Sequence, residues 1–308
     1  MKKILVTADH HIAEKFDLSQ IERLLGTVTA EANKRDELWV LGDVFHNSRI
    51  TGRELYLFVT FLQSIKVPTI LLAGNHDMFE GLSLLDWVPL VFPNVTVSLN
   101  SVSLKIENTS ILLGHFNVDE SVMGAYDIKL HSGLSANSLV TDLALLGHIH
   151  KGQEIQGVKT KIIHPGSLFY IDFNERLDKK QLVELVVDAQ GYQINYIPLD
   201  PDPLAQLEFK EDELDDLSRL VEVSINTRVK IVIKYCNPLI NKADIVRKFD
   251  KFNFKDKKIV FSYQSPQENT RDSKSQRDQG GLLHIEDFLK KQEKEVAELI
   301  RKYLNEQV

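Results

Sequence analysis

The chain has 308 residues, 43% hydrophobic and 26% charged, an ordinary globular composition with apolar surface for a sizeable core and length for one large domain plus a smaller one. A formal net charge of -7 counts mildly against nucleic acid as a partner, and the lone cysteine, Cys236, excludes an internal disulfide framework and fits a reducing cytosol. No stretch approaches the roughly eighteen apolar residues of a membrane helix, and the apolar run after Lys2-Lys3 stops at Asp9, too short for a signal peptide, so a cytoplasmic protein without a membrane segment is expected.

Residues 4–7 open the chain as a short, nearly continuous apolar run, the signature of a strand buried on both faces. Residues 18–34 carry Ile21, Leu24, Leu25 and Val28 at helical spacing. Residues 38–41 repeat the strand pattern, and residues 52–65, with Leu55, Phe58, Val59 and Leu62, repeat the helical one. Further strand-like runs follow at 69–73, 110–113 and 143–146. Strand–helix alternation of this kind predicts an α/β domain over residues 1–200. Three prolines in residues 198–203 mark a boundary. Beyond it, a strand-like run at 229–235, a helix-like run at 242–252 and a strand-like run at 258–263 suit a small α/β module over 201–263. Residues 264–281 are almost wholly polar with Pro and Gly, as in a flexible linker. Residues 282–308 hold a helix candidate with Ile285, Phe288, Leu289, Val296, Leu299, Ile300, Tyr303 and Leu304 on one face.

The chemistry gathers where the apolar runs end. The five runs of the first region finish in Asp9-x-His11, Gly42-Asp43-Val44-Phe45-His46, Gly74-Asn75-His76-Asp77, Gly114-His115 and Gly147-His148-Ile149-His150. In α/β folds, ligands bind beyond the carboxyl ends of the strands, so these residues should converge. Any one piece alone reads as well as a surface turn, whereas five in order, each closing an apolar run, point to one site. Carboxylate, amide oxygen and imidazole together suit Mn, Fe or Zn better than Ca. Two such ions about 3.5–4 Å apart clamp a phosphoryl group and lower the pKa of a bridging water. They also add about four positive charges at one spot, which the net charge omits.

These ordered motifs resemble the calcineurin-like metallophosphoesterases over residues 1–170. Within that superfamily the chain resembles the nuclease subunit of double-strand-break repair complexes, of the SbcD and meiotic-recombination-eleven types. The resemblance implies a four-layer αββα sandwich with a C-terminal α/β capping module and a terminal partner-binding helix. It implies two divalent metal ions, Mn2+ by preference, one held by Asp9, His11, Asp43 and His150. The other would be held by Asp43, Asn75, His115 and His148, with Asp43 bridging. His76 takes the family's catalytic histidine position and would assist the leaving oxygen. His46, in the Phe-His pair that repair nucleases carry after Gly-Asp, would help place the DNA end, or would merely orient His76.

The implied activity is DNA cleavage, as 3′→5′ exonuclease and single-strand endonuclease, by metal-activated hydroxide. The implied partners are DNA, an SbcC-type ABC/SMC-like ATPase docked on the terminal helix, and a second copy of the chain. Leu84, Leu85, Trp87 and Val88 form an apolar cluster that suits either a dimer contact or the core. His164-Pro165-Gly166-Ser167-Leu168 resembles a Pro-Gly-Ser turn of structural use in this group, and His10, His131 and His284 match no ligand position. Two rivals share the sequence: a phosphodiesterase for a cyclic nucleotide, nucleotide or phosphoprotein with the same metal site, and a scaffold that binds DNA or an ATPase without hydrolysis.

Overall fold

The computed structural model describes residues 1–264. The linker expected at 264–281, Gln264 apart, and the helix expected at 282–308 lie outside the described residues.

Hydrophobic alternation builds two stacked sheets. The first has six strands in the order Gly191–Pro198, Gln181–Asp188, Lys2–Thr7, Glu37–Leu41, Thr69–Leu72, Val95–Ser98. The Lys2–Thr7 strand sits inside it, parallel to Glu37–Leu41 and antiparallel to Gln181–Asp188. The second has five strands in the order Gln153–Gln156, Lys161–His164, Leu143–Gly147, Thr109–His115, Val102–Ile106. Successive side chains of a strand point to opposite faces, and both faces of the central strands Lys2–Thr7, Glu37–Leu41 and Leu143–Gly147 are apolar. Ile4, Val6, Trp39 and Leu41 point inward and meet Ile111, Leu113, Leu143, Leu145 and Ile163 of the other sheet. Their neighbours Leu5, Leu38 and Val40 point outward, onto Ile21, Leu24, Leu25, Val28, Phe58 and Leu62 of two helices.

Those helices, Leu18–Ala32 and Gly52–Ser64, start where the sequence supplies caps. Asp17 accepts from the N–H groups of Ser19 and Gln20, and Thr51 with Glu54 forms a reciprocal capping box. The first helix stops at Ala32, short of the expected residue 34. Asn33 leaves it to bridge the neighbouring helix end, donating to Ser64 O at 3.0 Å and accepting from Lys66 N at 2.9 Å. On the far face of the second sheet, Ala144, Leu146 and Ile162 pack under Val118 and Ala136. That outer layer comes from the 116–140 segment and includes one short 3-10 turn, Ala136–Ser138. The whole is a mixed α/β sandwich of sheets with few helices, the fold class read from the sequence.

Leu84, Leu85, Trp87 and Val88 belong to the core: Leu85 and Val88 are fully buried, and Leu84 and Trp87 pack against the same cluster. Further along, Leu204–Lys210, Arg228–Tyr235 and Asp256–Tyr263 form a three-stranded sheet. The helix Lys242–Phe249 is capped by Asn241 and buries Ile245 and Phe249, the latter against Phe209. It ends three residues before the expected 252. One compact unit comprises Met1–Ile233 and Asn241–Phe261. The second takes Lys234–Ile240 and the chain from Ser262, and in it the Tyr235 and Tyr263 rings meet edge to face. Among the described residues no helix is long and apolar enough to cross a membrane.

Candidate metal centre

All five motifs leave strand ends, and the chain turns sharply there. Asp9, His11, Asp43 and His148 have φ of 52°, 46°, 51° and 79°, the left-handed region that side-chain-bearing residues rarely occupy. Each such residue costs on the order of 1–3 kcal/mol, and main-chain bonds hold the strain in place. Asp9 N donates to Gly42 O, His11 N to Asp43 O and Ile12 N to Val44 O, at 2.9–3.0 Å. Gly42 and Gly74 let the turns close on one another. A Cβ on Gly42, whose φ is +85°, would lie 2.3 Å from His115 Nδ1, and one on Gly74 would lie 2.1 Å from Asp43 Oδ1.

The turns bring the seven expected ligands into two adjoining groups. Asp9, His11 and His150 offer donor atoms within 4.8 Å of one another, as do Asp43, His115 and His148. Asp43 Oδ2 faces both, 3.2 Å from His115 Nε2 and 3.8 Å from His11 Nε2. Asn75 Oδ1 completes the second group, 3.3 Å from His115 Nε2 and 3.2 Å from His148 Nδ1. In the first group the Nε2 atoms of His11 and His150 stand 2.9 Å apart.

This donor set fits two divalent cations. Asp9 Oδ2 is buried without a hydrogen-bond partner, a costly state for a carboxylate that a cation would relieve. His115 donates its Nδ1 proton to the main-chain oxygen of Leu41 at 2.7 Å, which leaves the Nε2 lone pair for coordination. His150 Nδ1 is likewise engaged, 2.8 Å from Glu175 Oε1. Burial pushes the Asp9 carboxyl up to about 6, against the pull of His115 and His150. Burial opposes charge on Asp43 and His115 too, but their mutual contact outweighs it, holding Asp43 down and His115 up. Like-charged carboxylates crowded in this way call for cationic charge between them.

His46 and His76 stand beside the centre, and both fall with His11 in a third group of close donors. His76 donates its Nδ1 proton to the main-chain oxygen of His46 at 2.6 Å, and the two rings stack with centroids 5.3 Å apart. His46 Nδ1 lies 3.2 Å from His11 Nδ1. Burial, and then the nearby charge of Lys15, pushes the His46 imidazole down to about 4. Both rings line an open cleft of about 580 Å³ with Asn47, Ser48, Arg49, Asn75 and Met78.

The other histidines stay out of the centre. His10 is buried against Phe61 and bonded to Thr7. His164 is buried on Ser121, His131 is exposed, and His284 lies outside the described residues. The Pro165-Gly166-Ser167 turn backs His150, with Ser167 N donating to His150 O at 3.1 Å. Three supporting residues escaped the sequence reading. Asp77 accepts from Gly74 N, Val44 N and Phe45 N and so locks two ligand loops together. Its signal was its place in the Gly-Asn-His-Asp run. Glu175 and Lys180, behind His150, stand in no motif.

Residues 2–152 match the family of calcineurin-like phosphoesterases. Among solved structures, an uncharacterised protein of Streptococcus pneumoniae TIGR4 described as a predicted phosphoesterase is 13% identical. The match covers 66% of this chain and 94% of that one, with a TM-score of 0.38. A single mutant of Vps29 from Entamoeba histolytica is 15% identical over 64% of this chain and 99% of that one, with a TM-score of 0.39. Zinc-bound wild-type Vps29 from the same organism is 16% identical with the same coverage and a TM-score of 0.37.

Proposed function

We propose, from the match of residues 2–152 to the calcineurin-like phosphoesterases, that the chain is a two-metal DNA nuclease, a 3′→5′ exonuclease and single-strand endonuclease. In this reading it works with an SbcC-type ATPase bound through residues 282–308, and as a homodimer. When bound, two divalent cations, Mn2+ in this reading, supply Lewis-acid charge to the phosphoryl oxygens and an activated water. Asp9, His11 and His150 would hold one and Asn75, His115 and His148 the other, with Asp43, whose Oδ2 faces both groups, available to each.

The protein's own groups do the rest. His76, its Nδ1 fixed on His46 O, keeps Nε2 for the substrate, and as an imidazolium would hand a proton from Nε2 to the leaving oxygen. Arg49, exposed in the cleft, offers a bidentate partner for a flanking phosphate. The observation that carries the nuclease reading is His46. Its imidazole stands in the cleft beside His76 in the Phe-His pair that resembles repair nucleases, although a main-chain oxygen already orients His76. Competition among substrates tests the reading. Wild-type protein with manganese should degrade linear DNA far faster than it hydrolyses a cyclic nucleotide or a phosphopeptide. Preference for either small substrate over DNA would contradict it.

A further inference from the structure

The two groups of ligands are backed differently. Behind His115 stands a main-chain carbonyl, Leu41 O. Behind His150 stands a buried carboxylate, Glu175. The second oxygen of Glu175 accepts from Lys180 Nζ at 2.8 Å, Ile171 N at 3.1 Å and Ser167 Oγ at 3.4 Å. Lys180, its side chain fully buried, spends its other protons on His150 O at 3.0 Å and Ser167 Oγ at 2.8 Å. Every charged atom of the pair is thus satisfied.

Such a pair has no need to exist for stability, since two apolar residues of similar volume serve a core as well or better. What sets this one apart is where it points. Glu175 grips the ring of His150 and Lys180 grips its main-chain oxygen, so both charges fasten one ligand. A carboxylate acceptor fixes the Nε2-coordinating tautomer and raises the ring's basicity more than a carbonyl does.

We propose that Glu175, held by Lys180, is a positioning residue that tightens the cation site of Asp9, His11 and His150, so that the two metal sites load with unequal affinity. This rests on the two-metal reading above.

Calorimetric titration of the full chain with Mn2+ tests it, comparing wild type, Glu175→Gln and the double variant Glu175→Gln/Lys180→Met. Glu175→Gln keeps the shape and loses the charge. The double variant leaves no unpaired buried cation and guards against a folding artefact. The wild type should bind two ions, and both variants should bind one of them about 10–100-fold more weakly. The event that survives unchanged should be the one His148→Ala removes. Wild-type affinity at both sites in Glu175→Gln would overturn the proposal and leave the two-metal reading standing. So would equal weakening of both sites, or wild-type affinities restored in the double variant, since either marks a packing role. A wild type that binds no manganese would overturn the two-metal reading and the proposal together.

Discussion

The Nδ1 proton of His76 rests on the main-chain oxygen of His46, not on its imidazole. Orientation of His76 therefore survives removal of the His46 side chain, which separates two roles that the sequence leaves open. If His46 acts on DNA, His46→Ala should lower DNA cleavage substantially while a small diester such as bis-p-nitrophenyl phosphate is still hydrolysed. If the ring instead orients His76, both activities should fall together. His76→Ala should remove about 10²–10⁴ of the rate on either substrate and leave metal binding intact. Rates on the two substrates, with calorimetry for the metal, check both variants.

Gly74→Ala should be among the most damaging small changes. The new Cβ would stand 2.1 Å from Asp43 Oδ1 and 2.4 Å from Asp43 N, so the carboxylate that faces both ligand groups must move. We expect a loss of about 1–3 kcal/mol in stability together with weakened metal binding. Gly26→Ala provides the contrast. Gly26 is exposed in the Leu18–Ala32 helix with open space around its Cα, and the alanine should stabilise by about 0.5–1 kcal/mol. Urea denaturation of the two variants checks both signs.

Metal should act as a folding ligand. The unpartnered oxygen of Asp9 and the crowding of Asp9 with Asp43 leave the metal-free centre uncompensated. An ion at one hundred times its dissociation constant adds about 2.7 kcal/mol per site. Thermal unfolding should therefore rise by several degrees with manganese and fall back with chelator, and Asp43→Ala should abolish the response.

Acid should expose the buried His164. Burial pushes its imidazole down to about 4, so the unfolded chain takes up its proton near the ordinary 6.5 while the folded chain refuses it. The folded state loses stability as pH falls from about 6.5 toward 4, by about 2 kcal/mol at pH 5. His164→Gln removes that proton. The stability advantage of wild type over the variant should shrink by about that amount between pH 7.5 and 5, as read from urea midpoints.

The sequence shows the parts of this molecule that obey a single periodicity. Residues 4–7 and 38–41 are apolar on both faces and read as strands at once. Residues 192–195 alternate Tyr, Gln, Ile and Asn, and the antiparallel Gly191–Pro198 strand they form escapes a search for continuous apolar runs. The ligands were legible because each follows such a run. Glu175 was not, since it reaches His150 from a short 3-10 turn, Phe173–Glu175, and no local spacing marks that contact. The fate of Leu85 and Val88 was equally closed to pattern: whether an apolar cluster faces a core or a partner depends on what packs above it, here Phe58 and Phe92.

Digestion of end-labelled linear DNA with manganese, comparing wild type with Asp43→Ala, decides whether the protein is a two-metal DNA nuclease. Wild type alone should release labelled products from 3′ ends, because the Asp43 carboxylate faces both ligand groups. Intact DNA with the wild type even when an SbcC-type ATPase is added, or equal cleavage by Asp43→Ala, would contradict the nuclease reading.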